Sequence, residues 1–314
     1  MENKEKNFMS AVIYVYNAQD RIEKFLEMLL KVLKDNFEHS EIICVNDCSK
    51  DGSVEKIKQV CRKVEDINVS ILNMSYFHGM ELAMNAGMEL AIGDFVFEFD
   101  VTESDFDAKE IMKIYKRSLE GYDIVSAVPE KNEKFASRCF YKIFEWFADM
   151  PFRLHTESFR VLSRRGINRI NSMNKTVLYR KAVYANCGLK TDSVIYKSNH
   201  MVKSDGKTDR WEKKYRMRLA VDAIILFTEA GCCFSIGMTM LMMIVSVFMT
   251  VYSIVTYLAS HPVAGWTTTI LFLSVVFFGL FGILTVIVKY LQLIVELIFK
   301  RKRYTFENIE KVTK

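Results

Sequence analysis

A long segment of this sequence, residues 230–288, contains no Asp, Glu, Lys or Arg. A helix needs about 20 apolar residues to cross the hydrocarbon core of a bilayer, and the segment holds two such lengths, 233–258 and 268–288. Between them the residues ASHPVAGWT bring Pro and Gly together, which predicts a turn near 259–267, with Trp266 at the interface. The sequence therefore predicts two transmembrane helices; the alternative is a buried hairpin in a soluble core.

Basic residues flank this predicted hairpin on both sides, whereas its turn carries only His261. They are Lys213, Lys214, Arg216 and Arg218 before it, and Lys300, Arg301, Lys302 and Arg303 after it. Because such residues stay on the cytoplasmic side, we expect a multi-pass protein of the inner (plasma) membrane, with the domain before the hairpin in the cytoplasm. Residues 210–231 are predicted as a juxtamembrane amphipathic helix, 232–299 as the membrane helices and 300–314 as a basic cytoplasmic tail.

The N-terminal residues MENKEKNFMS are charged and run directly into a strand pattern, which predicts no cleavable signal peptide. The seven cysteines show no paired spacing typical of metal ligands, and in a reducing cytosol they are expected to be free thiols. The formal net charge is a mild +5. We expect no nucleic-acid partner, and we expect a homo-oligomer.

Strand-like and helix-like segments alternate before the membrane segment. The strand-like runs are FMSAVIYVYN, EIICVN, INVSILNM and FVFEFD, and residues 19–34, 54–64 and 79–91 between them have helical periodicity. Alternation of this kind predicts an α/β domain with a parallel, doubly wound sheet, here over residues 1–209. Ligands bind such sheets beyond the carboxyl ends of the strands.

Polar residues follow several of these predicted strands. In VNDCSKDGS, Asp47 leaves the strand end and is placed to accept hydrogen bonds from a base or ribose, whereas Ser49, Asp51 and Ser53 suit the cap of the next helix. In GDFVFEFDVTESDF the apolar run ends at Asp100. A carboxylate there suits a divalent cation, which takes carboxylate and phosphate oxygens together; the alternative is an acid that caps the next turn.

The order of these motifs resembles the polyprenyl-phosphate glycosyltransferases of the GT-A type, family 2, which include dolichol-phosphate mannose synthase and undecaprenyl-phosphate glucosyltransferases. The resemblance rests on NDCSKDGS, a helix with Gly79, Ala83 and Gly87, GDFVFEFD, ESFRVLSRR, LAVDAIILFT, PVAGWTTTILFL, KYLQLIVE and KRKRYTF. It implies a GT-A domain, Rossmann-like with a mostly parallel sheet, followed by a two-helix transmembrane hairpin.

The sequence departs from the family pattern mainly where the family binds nucleotide. The family usually has Pro at Tyr14, an acid at Asn46, Gly at Cys48, Asn at Phe77, Asp at Thr102 and Arg at Pro129. The family's Asp-x-Asp motif is therefore Asp100, Val101 and Thr102 here. Loss of one carboxylate predicts a working but weak metal site that needs millimolar-range Mg2+ or Mn2+.

The resemblance implies inverting transfer of a hexose from a nucleotide sugar to a polyprenyl phosphate at the cytoplasmic membrane face. A UDP-sugar is the favoured donor and GDP-mannose the alternative. The acceptor phosphate is largely ionised near neutral pH, since its second pKa is about 6, so no strong general base is needed. The leaving diphosphate does need charge stabilisation, and the implied cofactor is Mg2+ or Mn2+.

The residues expected to carry this chemistry fall into four groups. The catalytic residues are Asp100, Arg160 and Lys203, and the metal ligands are Asp100, Thr102 and Glu103. The nucleotide-binding residues are Tyr16, Asn17, Asp47, Ser49 and Gly79. The lipid phosphate is expected to bind Arg138, Arg160 and Arg164, because guanidinium groups fork onto phosphate; for Arg164 a solvated surface role is the alternative.

Residues 135–152 place Phe140, Phe144 and Phe147 on one face at helical spacing, which predicts an amphipathic helix at the membrane interface or, alternatively, a core helix. Two other functions compete with the transferase. A catalytically impaired relative would bind a nucleotide sugar or a membrane partner without turnover. A processive polysaccharide synthase would need a Gln-x-x-Arg-Trp motif, but Lys207 stands where the Gln should precede Arg210 and Trp211, and two spans form no channel.

Overall fold

The computed structural model describes residues 4–62, 64, 66–102, 105–130, 157–172, 179–185, 187–198 and 306–311, with single helical residues between 238 and 294. The chain divides into two compact units. The first comprises Met1–Glu145, Met150–Leu219 and Lys302–Lys314, and the second comprises Trp146–Asp149 and Ala220–Arg301. The described strands all belong to the first unit.

The first unit alternates strands and helices along the chain. Its described strands are β1 (Met9–Val15), β2 (Ser40–Asn46), β3 (Asn68–Met74), β4 (Phe95–Phe99), β5 (Ile124–Pro129), β6 (Phe159–Ser163), β7 (Thr191–Tyr196) and β8 (Phe306–Lys311). Its described helices are α1 (Ile22–Asn36), α2 (Ser53–Cys61), α3 (Met80–Leu90), α4 (Ala108–Leu119), α5 (Arg164–Ser172) and α6 (Arg180–Ala185). The predicted α/β alternation is confirmed, because each of the four predicted strands and three predicted helices is present.

The strands form one mostly parallel sheet in the order β7-β5-β6-β4-β1-β2-β3-β8. Strands β4, β1, β2 and β3 are parallel neighbours, and β5 and β7 form another parallel pair. Strand β6 runs antiparallel to both β4 and β5. The carboxyl ends of β1 to β4 therefore meet at one edge of the sheet, and the loops that follow them are brought together there.

Side-chain alternation gives the two faces of the sheet different characters. On one face the alternate residues of β1 and β4, such as Ile13, Phe97 and Phe99, join an apolar core with α1, α2 and α4. On the other face α3 packs so closely that a Cβ at Gly87 would lie 2.5 Å from Val12 and 2.6 Å from Val45. Glycine at this point of α3 permits the close approach of helix and sheet.

The C-terminal segment contributes a strand that the sequence pattern did not predict. Within the predicted basic tail, β8 pairs antiparallel with β3, with Ser70 opposite Lys311 and Asn73 opposite Asn308. Lys58 of α2 forms a 2.7 Å ion pair with Glu310. The β8 strand therefore covers an edge of β3 whose backbone groups would otherwise be free to pair with another chain.

The described residues of the second unit are helical. Several of their large apolar side chains are more than half exposed: Leu241, Ile244, Phe248, Leu280, Leu284 and Leu291 are 51–68% exposed. No helix within the described positions is both long enough and apolar enough to span a bilayer. Most of the predicted spans, and the predicted helices 135–152 and 210–231, lie outside the described residues.

Candidate functional site

The loops after β1 and β2 are locked together at the carboxyl edge of the sheet. The backbone N–H of Asn17 donates to Ser49 Oγ over 3.2 Å, and Asn17 Oδ1 accepts from the Lys50 N–H over 2.9 Å. Asn17 and Cys48 both have positive φ, at 46° and 59°. Non-glycine residues rarely adopt this conformation because it is sterically unfavourable. The hydrogen bonds between the two loops offset that cost and hold the loops in one conformation.

Asp47 ties the β2 loop to the turn between β3 and α3. Its fully buried carboxylate accepts hydrogen bonds from the Tyr14 hydroxyl (3.0 Å), the His78 N–H (2.8 Å) and the Gly79 N–H (2.8 Å). Gly79 has φ 85° and ψ 157°, a conformation essentially restricted to glycine. Burial raises the pKa of Asp47 above its ordinary value, against the effect of these hydrogen bonds. The structure thus brings Asp47 and Gly79 together as one turn-forming unit.

Aromatic rings surround this turn. Tyr16 and Phe77 are in ring contact with centroids 4.8 Å apart, and Tyr76 stacks on His78 with centroids 4.0 Å apart. Tyr76 is 59% exposed and Phe77 39%. Exposed ring faces therefore lie beside the loops in which nucleotide-binding residues were predicted.

The face of the sheet opposite the apolar core carries buried charges at the end of β4. Glu98 and Asp100, two residues apart, point to the same face, and Glu98 lies directly opposite Arg160 of β6. Arg160 donates to Asp100 Oδ2 over 2.7 Å and pairs with Glu98 at 3.4 Å and Glu157 at 3.2 Å. Its side chain is 1% exposed.

A second buried arginine, Arg180 at the start of α6, reaches the same carboxylates. It donates from Nη2 to Asp100 Oδ1 over 2.6 Å, from Nη1 to Glu98 Oε1 over 3.1 Å and from Nε to Glu81 Oε2 over 2.9 Å. One turn later on α6, the Tyr184 hydroxyl donates to Glu98 Oε1 over 2.7 Å. We call these side chains the buried charge cluster: Glu81, Glu98, Asp100, Glu157, Arg160, Arg180 and Tyr184.

Electrostatics within the buried charge cluster favour an ionised Asp100. Burial alone would raise the pKa of Asp100, but the guanidinium groups of Arg180 and Arg160 outweigh it and hold that pKa well below its ordinary value. Burial also raises the pKa of Tyr184 well above its usual range, so its hydroxyl keeps its proton as a donor to Glu98. With four carboxylates against two guanidinium groups, the cluster carries a formal charge of about −2.

The predicted catalytic and lipid-phosphate residues are only partly brought together. Asp100 and Arg160 are in direct contact, and Thr102 is buried close behind them in the chain. Among the described residues Arg160 forms a hydrogen bond through Nη2 alone, to Asp100, while its Nε and Nη1 lie at ion-pair distance from Glu157 and Glu98 without a hydrogen bond. The contact of Arg160 with a lipid phosphate stays a prediction. Glu103, Arg138 and Lys203 lie outside the described residues.

Arg164 requires a correction. Because β6 runs antiparallel to β4, Arg164 lies at the amino end of β4, at the opposite edge from Asp100. Its guanidinium donates to the backbone carbonyl oxygens of Ala91 and Gly93. The structure therefore places the Arg164 guanidinium against the turn between α3 and β4, away from the site where a lipid phosphate was expected.

Sequence reasoning missed Glu98, Arg180, Tyr184 and Glu81. Two signals were available in the sequence. In FVFEFD an acid stands two residues before Asp100, hence on the same face of the strand, and Arg180 and Tyr184 have the i, i+4 spacing of neighbours on one helix face. Neither signal identifies the partner, because the partners come from segments distant in sequence.

The described residues do not fit a divalent cation at Asp100. Both of its oxygens already accept a guanidinium N–H, and Thr102 supplies no negative charge. Asp105, the next described carboxylate along the chain, accepts from the Tyr196 hydroxyl over 2.7 Å. No group of three or more His, Cys, Asp or Glu side chains in the described part of the chain is arranged to hold a metal ion.

Comparison with known proteins finds a matching protein family and similar curated proteins. The family model described as Glycosyl transferase family 2 matches residues 10–187. The uncharacterized glycosyltransferase YkcC of Bacillus subtilis (strain 168) is 25% identical over 320 residues, covering 95% of this chain and 95% of that protein. The prophage bactoprenol glucosyl transferase homolog of Escherichia coli (strain K12) is 26% identical over 226 residues, covering 70% of this chain and 72% of that protein.

Among solved structures, the mannosyltransferase PcManGT from Pyrobaculum calidifontis, in complex with GDP-Man and Mn2+, superposes with a TM-score of 0.50. The two chains are 15% identical, and the match covers 70% of this chain and 64% of that one, just under two thirds of its length. At this identity the likeness shows the fold alone. It confirms the GT-A α/β domain that the sequence resemblance implied.

Proposed function

The chain belongs to glycosyl transferase family 2, and we propose that it transfers a hexose from a nucleotide sugar to a polyprenyl phosphate at the cytoplasmic face of the membrane, with inversion. The family assignment confirms the resemblance found in the sequence and makes the chain a glycosyltransferase. The acceptor class is supported by the bactoprenol glucosyl transferase homolog, whose likeness covers 70% of this chain.

The observation that carries the proposal is the preorganised edge formed by the loops after β1, β2 and β3. Asn17 and Ser49 hold two of these loops together, and Asp47 fixes Gly79 at the third. The neighbouring strand, β4, ends at Asp100 on the same edge. A preformed polar edge beside a strand-end acid is the arrangement that nucleotide-binding α/β sheets use.

The aromatic rings beside this edge support a nucleoside diphosphate donor. A base can stack on Tyr16 and Phe77 or on Tyr76, since stacking on aromatic side chains contributes about 1–3 kcal/mol per base and accepts any base. We propose a UDP-sugar as the donor, with GDP-mannose as the alternative. Stacking does not distinguish the two bases, so the donor must be identified by assay.

The proposed chemistry is a single displacement. An ionised oxygen of the lipid phosphate attacks the anomeric carbon of the sugar, the bond from that carbon to the diphosphate breaks, and the nucleoside diphosphate leaves. The attacking oxygen needs no base because the phosphate is already ionised near neutral pH. The buried charge cluster has a formal negative charge and cannot neutralise the leaving diphosphate. We assign that role, and lipid-phosphate binding, to cations outside the described residues, with Lys203 and Arg138 as the candidates.

Membrane attachment through residues 232–299, with the catalytic domain in the cytoplasm of the inner membrane, is supported by three observations. Basic residues flank the segment on both sides. Many of its described apolar side chains are about half exposed, and Ile244 and Phe248 are about two-thirds exposed. Strand β8, which follows the segment, pairs with β3, which precedes it, so both ends of the segment must lie on the same side of a membrane. An even number of spans, such as the predicted two, satisfies this requirement. A homo-oligomer remains part of the proposal, to be tested by mass photometry.

A catalytically impaired relative is the second candidate, and a specific observation favours it. Guanidinium groups at 2.7 and 2.6 Å occupy both oxygens of Asp100, and the next motif position is the neutral Thr102. Such a protein would bind a nucleotide sugar or a membrane partner without transferring sugar.

One assay separates the two candidates. Purified full-length protein is incubated with undecaprenyl phosphate and radiolabelled UDP-glucose, UDP-N-acetylglucosamine or GDP-mannose, in EDTA or in a series of Mg2+ and Mn2+ concentrations. Transfer of label to lipid supports the transferase, and NMR of the product's anomeric proton tests inversion. Binding of a nucleotide without any transfer supports the impaired relative; no transfer and no nucleotide binding contradicts the transferase and leaves, of the second candidate, only binding to a membrane partner.

The same assay tests the metal. Because two guanidinium groups donate to the oxygens of Asp100 and Thr102 is neutral, we expect wild-type transfer to persist in EDTA. The Thr102→Asp variant restores the missing charge and should make transfer respond to Mn2+, whereas Thr102→Asn, which has the shape without the charge, should not change the metal response. Strict metal dependence of the wild type would refute this reading of the site and support the weak metal site predicted from the sequence.

A further inference from the structure

Three asparagines from adjacent strands lie side by side across the sheet. Asn46 of β2 is opposite Asn73 of β3, and Asn73 is opposite Asn308 of β8. Their side chains are hydrogen bonded in series: Asn46 Nδ2 donates to Asn73 Oδ1 over 2.8 Å, and Asn73 Nδ2 donates to Asn308 Oδ1 over 2.7 Å. We call this series the asparagine ladder.

The inner end of the asparagine ladder reaches the loop after β2. Asn46 Oδ1 accepts from the Ser49 N–H over 3.0 Å, and Ser49 Oγ in turn accepts from the Asn17 N–H over 3.2 Å. Asn46 is 7% exposed, so this contact is shielded from water. The ladder therefore connects β8 to the two loops that carry Asn17 and Ser49.

The outer end of the ladder is Asn308 in β8, a strand that follows the predicted membrane segment in the sequence. Asn308 is the acceptor for the amide of Asn73, and without β8 that amide would face the solvent at the sheet edge. Directly opposed side chains on neighbouring strands stabilise a sheet as pairs, and hydrogen bonds in series polarise one another. Asn308, which lies in the C-terminal strand, thus orients the side-chain amide of Asn73, and Asn73 in turn orients the amide of Asn46.

We propose that Asn308 is a positioning residue for the donor nucleotide, acting through Asn73 and Asn46 on the loop 46–53. The C-terminal strand is then part of the donor site. The expected effect on nucleotide binding rests on the proposed function, because that function makes loop 46–53 nucleotide-binding. The hydrogen-bond coupling between Asn308 and this loop does not rest on it.

The test compares three variants of the full-length protein. Asn308→Ala removes the acceptor, Asn308→Asp keeps an acceptor oxygen at the same place, and Glu310→Ala removes a side chain from the same face of the same strand without touching the ladder. Hydrogen–deuterium exchange is followed by mass spectrometry in peptides covering 46–53 and, as a control for strand pairing, 68–74. Binding of UDP and GDP is measured by calorimetry, and donor KM and kcat are measured where transfer occurs.

We expect Asn308→Ala to speed exchange in 46–53 by at least about 2-fold and to weaken nucleotide binding and raise donor KM about 2- to 10-fold, the range set by one net hydrogen bond. Exchange in 68–74 and kcat should stay unchanged, and Asn308→Asp and Glu310→Ala should behave like the wild type.

Three results would overturn the coupling: equal exchange in Asn308→Ala and Glu310→Ala, faster exchange in 68–74 as well, or a loss of kcat with unchanged KM. If the wild type binds neither UDP nor GDP, the proposed function loses its support, while the exchange comparison still decides whether the ladder holds the loop.

Discussion

Replacing Arg180 by Met should destabilise the fold strongly, and the size of the effect should depend on pH. Arg180 is 1% exposed and donates to Glu81, Glu98 and Asp100. Met retains most of the apolar stem, so the loss is mainly electrostatic. The variant leaves one guanidinium, that of Arg160, among four carboxylates.

The size of the stability loss depends on whether a carboxylate of the cluster can take up a proton when Arg180 is removed. Removing one partner of a buried ion pair costs about 3–5 kcal/mol. The folded variant can limit that cost by protonating a carboxylate, and at pH 7.5 a group of ordinary pKa about 4.3 takes up a proton for about 4 kcal/mol, at 1.36 kcal/mol per pH unit. The two figures agree, so we expect a loss of about 4 kcal/mol at pH 7.5 for Arg180→Met.

The sign of the pH dependence can be worked out. In the folded variant, we expect one carboxyl group of the cluster to have a pKa above its value in the unfolded chain. Protonation of this group favours folding at low pH. The loss of unfolding free energy caused by Arg180→Met therefore grows as pH rises. In the wild type, the guanidinium groups depress the pKa of Asp100, so its contribution is complete above the unfolded pKa and constant between pH 5.5 and 7.5. The penalty of Arg180→Met should therefore shrink by up to about 2.7 kcal/mol on going from pH 7.5 to 5.5.

The assay is urea unfolding of the detergent-solubilised full-length protein, followed by circular dichroism at pH 5.5, 6.5 and 7.5. The control is Lys34→Met, which removes a cation from the exposed pair with Asp66 and should cause no measurable change. Adding Glu98→Gln to Arg180→Met should recover part of the loss at pH 7.5, because it removes one of the uncompensated charges. A loss below about 1 kcal/mol, or a loss that does not vary with pH, would show that the cluster does not depend on Arg180 for charge balance.

Two further substitutions test the backbone around the site by the same urea titration. Gly87→Ala should cost about 1–3 kcal/mol by overpacking α3 against Val12 and Val45; a cost within error of zero would mean that the helix can move away from the sheet. Cys48→Gly should stabilise the protein by about 0.5–1 kcal/mol, since Cys48 has φ 59° and glycine adopts that conformation without strain; a destabilised variant would show that the thiol contributes packing that outweighs the strain.

The strained Cys48 also explains one departure from the family pattern. The family usually has glycine at this position, and the structure shows that the chain turns there with positive φ. Here Cys48 has that conformation without being glycine, and Asn17, Ser49 and Lys50 hold the two loops by hydrogen bonds. The positive φ at this position is thus a physical reason for glycine in the family.

The order of the first four strands and the three helices between them, and the edge at which ligands should bind, followed from the sequence by itself. Hydrophobic periodicity is a local property, so apolar runs ending at Asn17, Asn46 and Asp100 were enough to predict β1, β2 and β4 and their polar ends. The uncharged segment 230–288 likewise needed no structure to be assigned to a membrane, and that assignment stays a prediction.

Tertiary structure alone decided what the charged and amide side chains do. The pairing of Asp100 with Arg160 and Arg180 joins residues 60 and 80 positions apart, and the pairing of Asn73 with Asn308 joins residues 235 apart. Which residues meet depends on strand order and on helix placement against one face of the sheet, and no local pattern encodes either. The sequence predicted Asp100 as a metal ligand, whereas the fold places the guanidinium groups of Arg160 and Arg180 on its two oxygens, since a buried carboxylate needs hydrogen-bond donors or an opposite charge at close range.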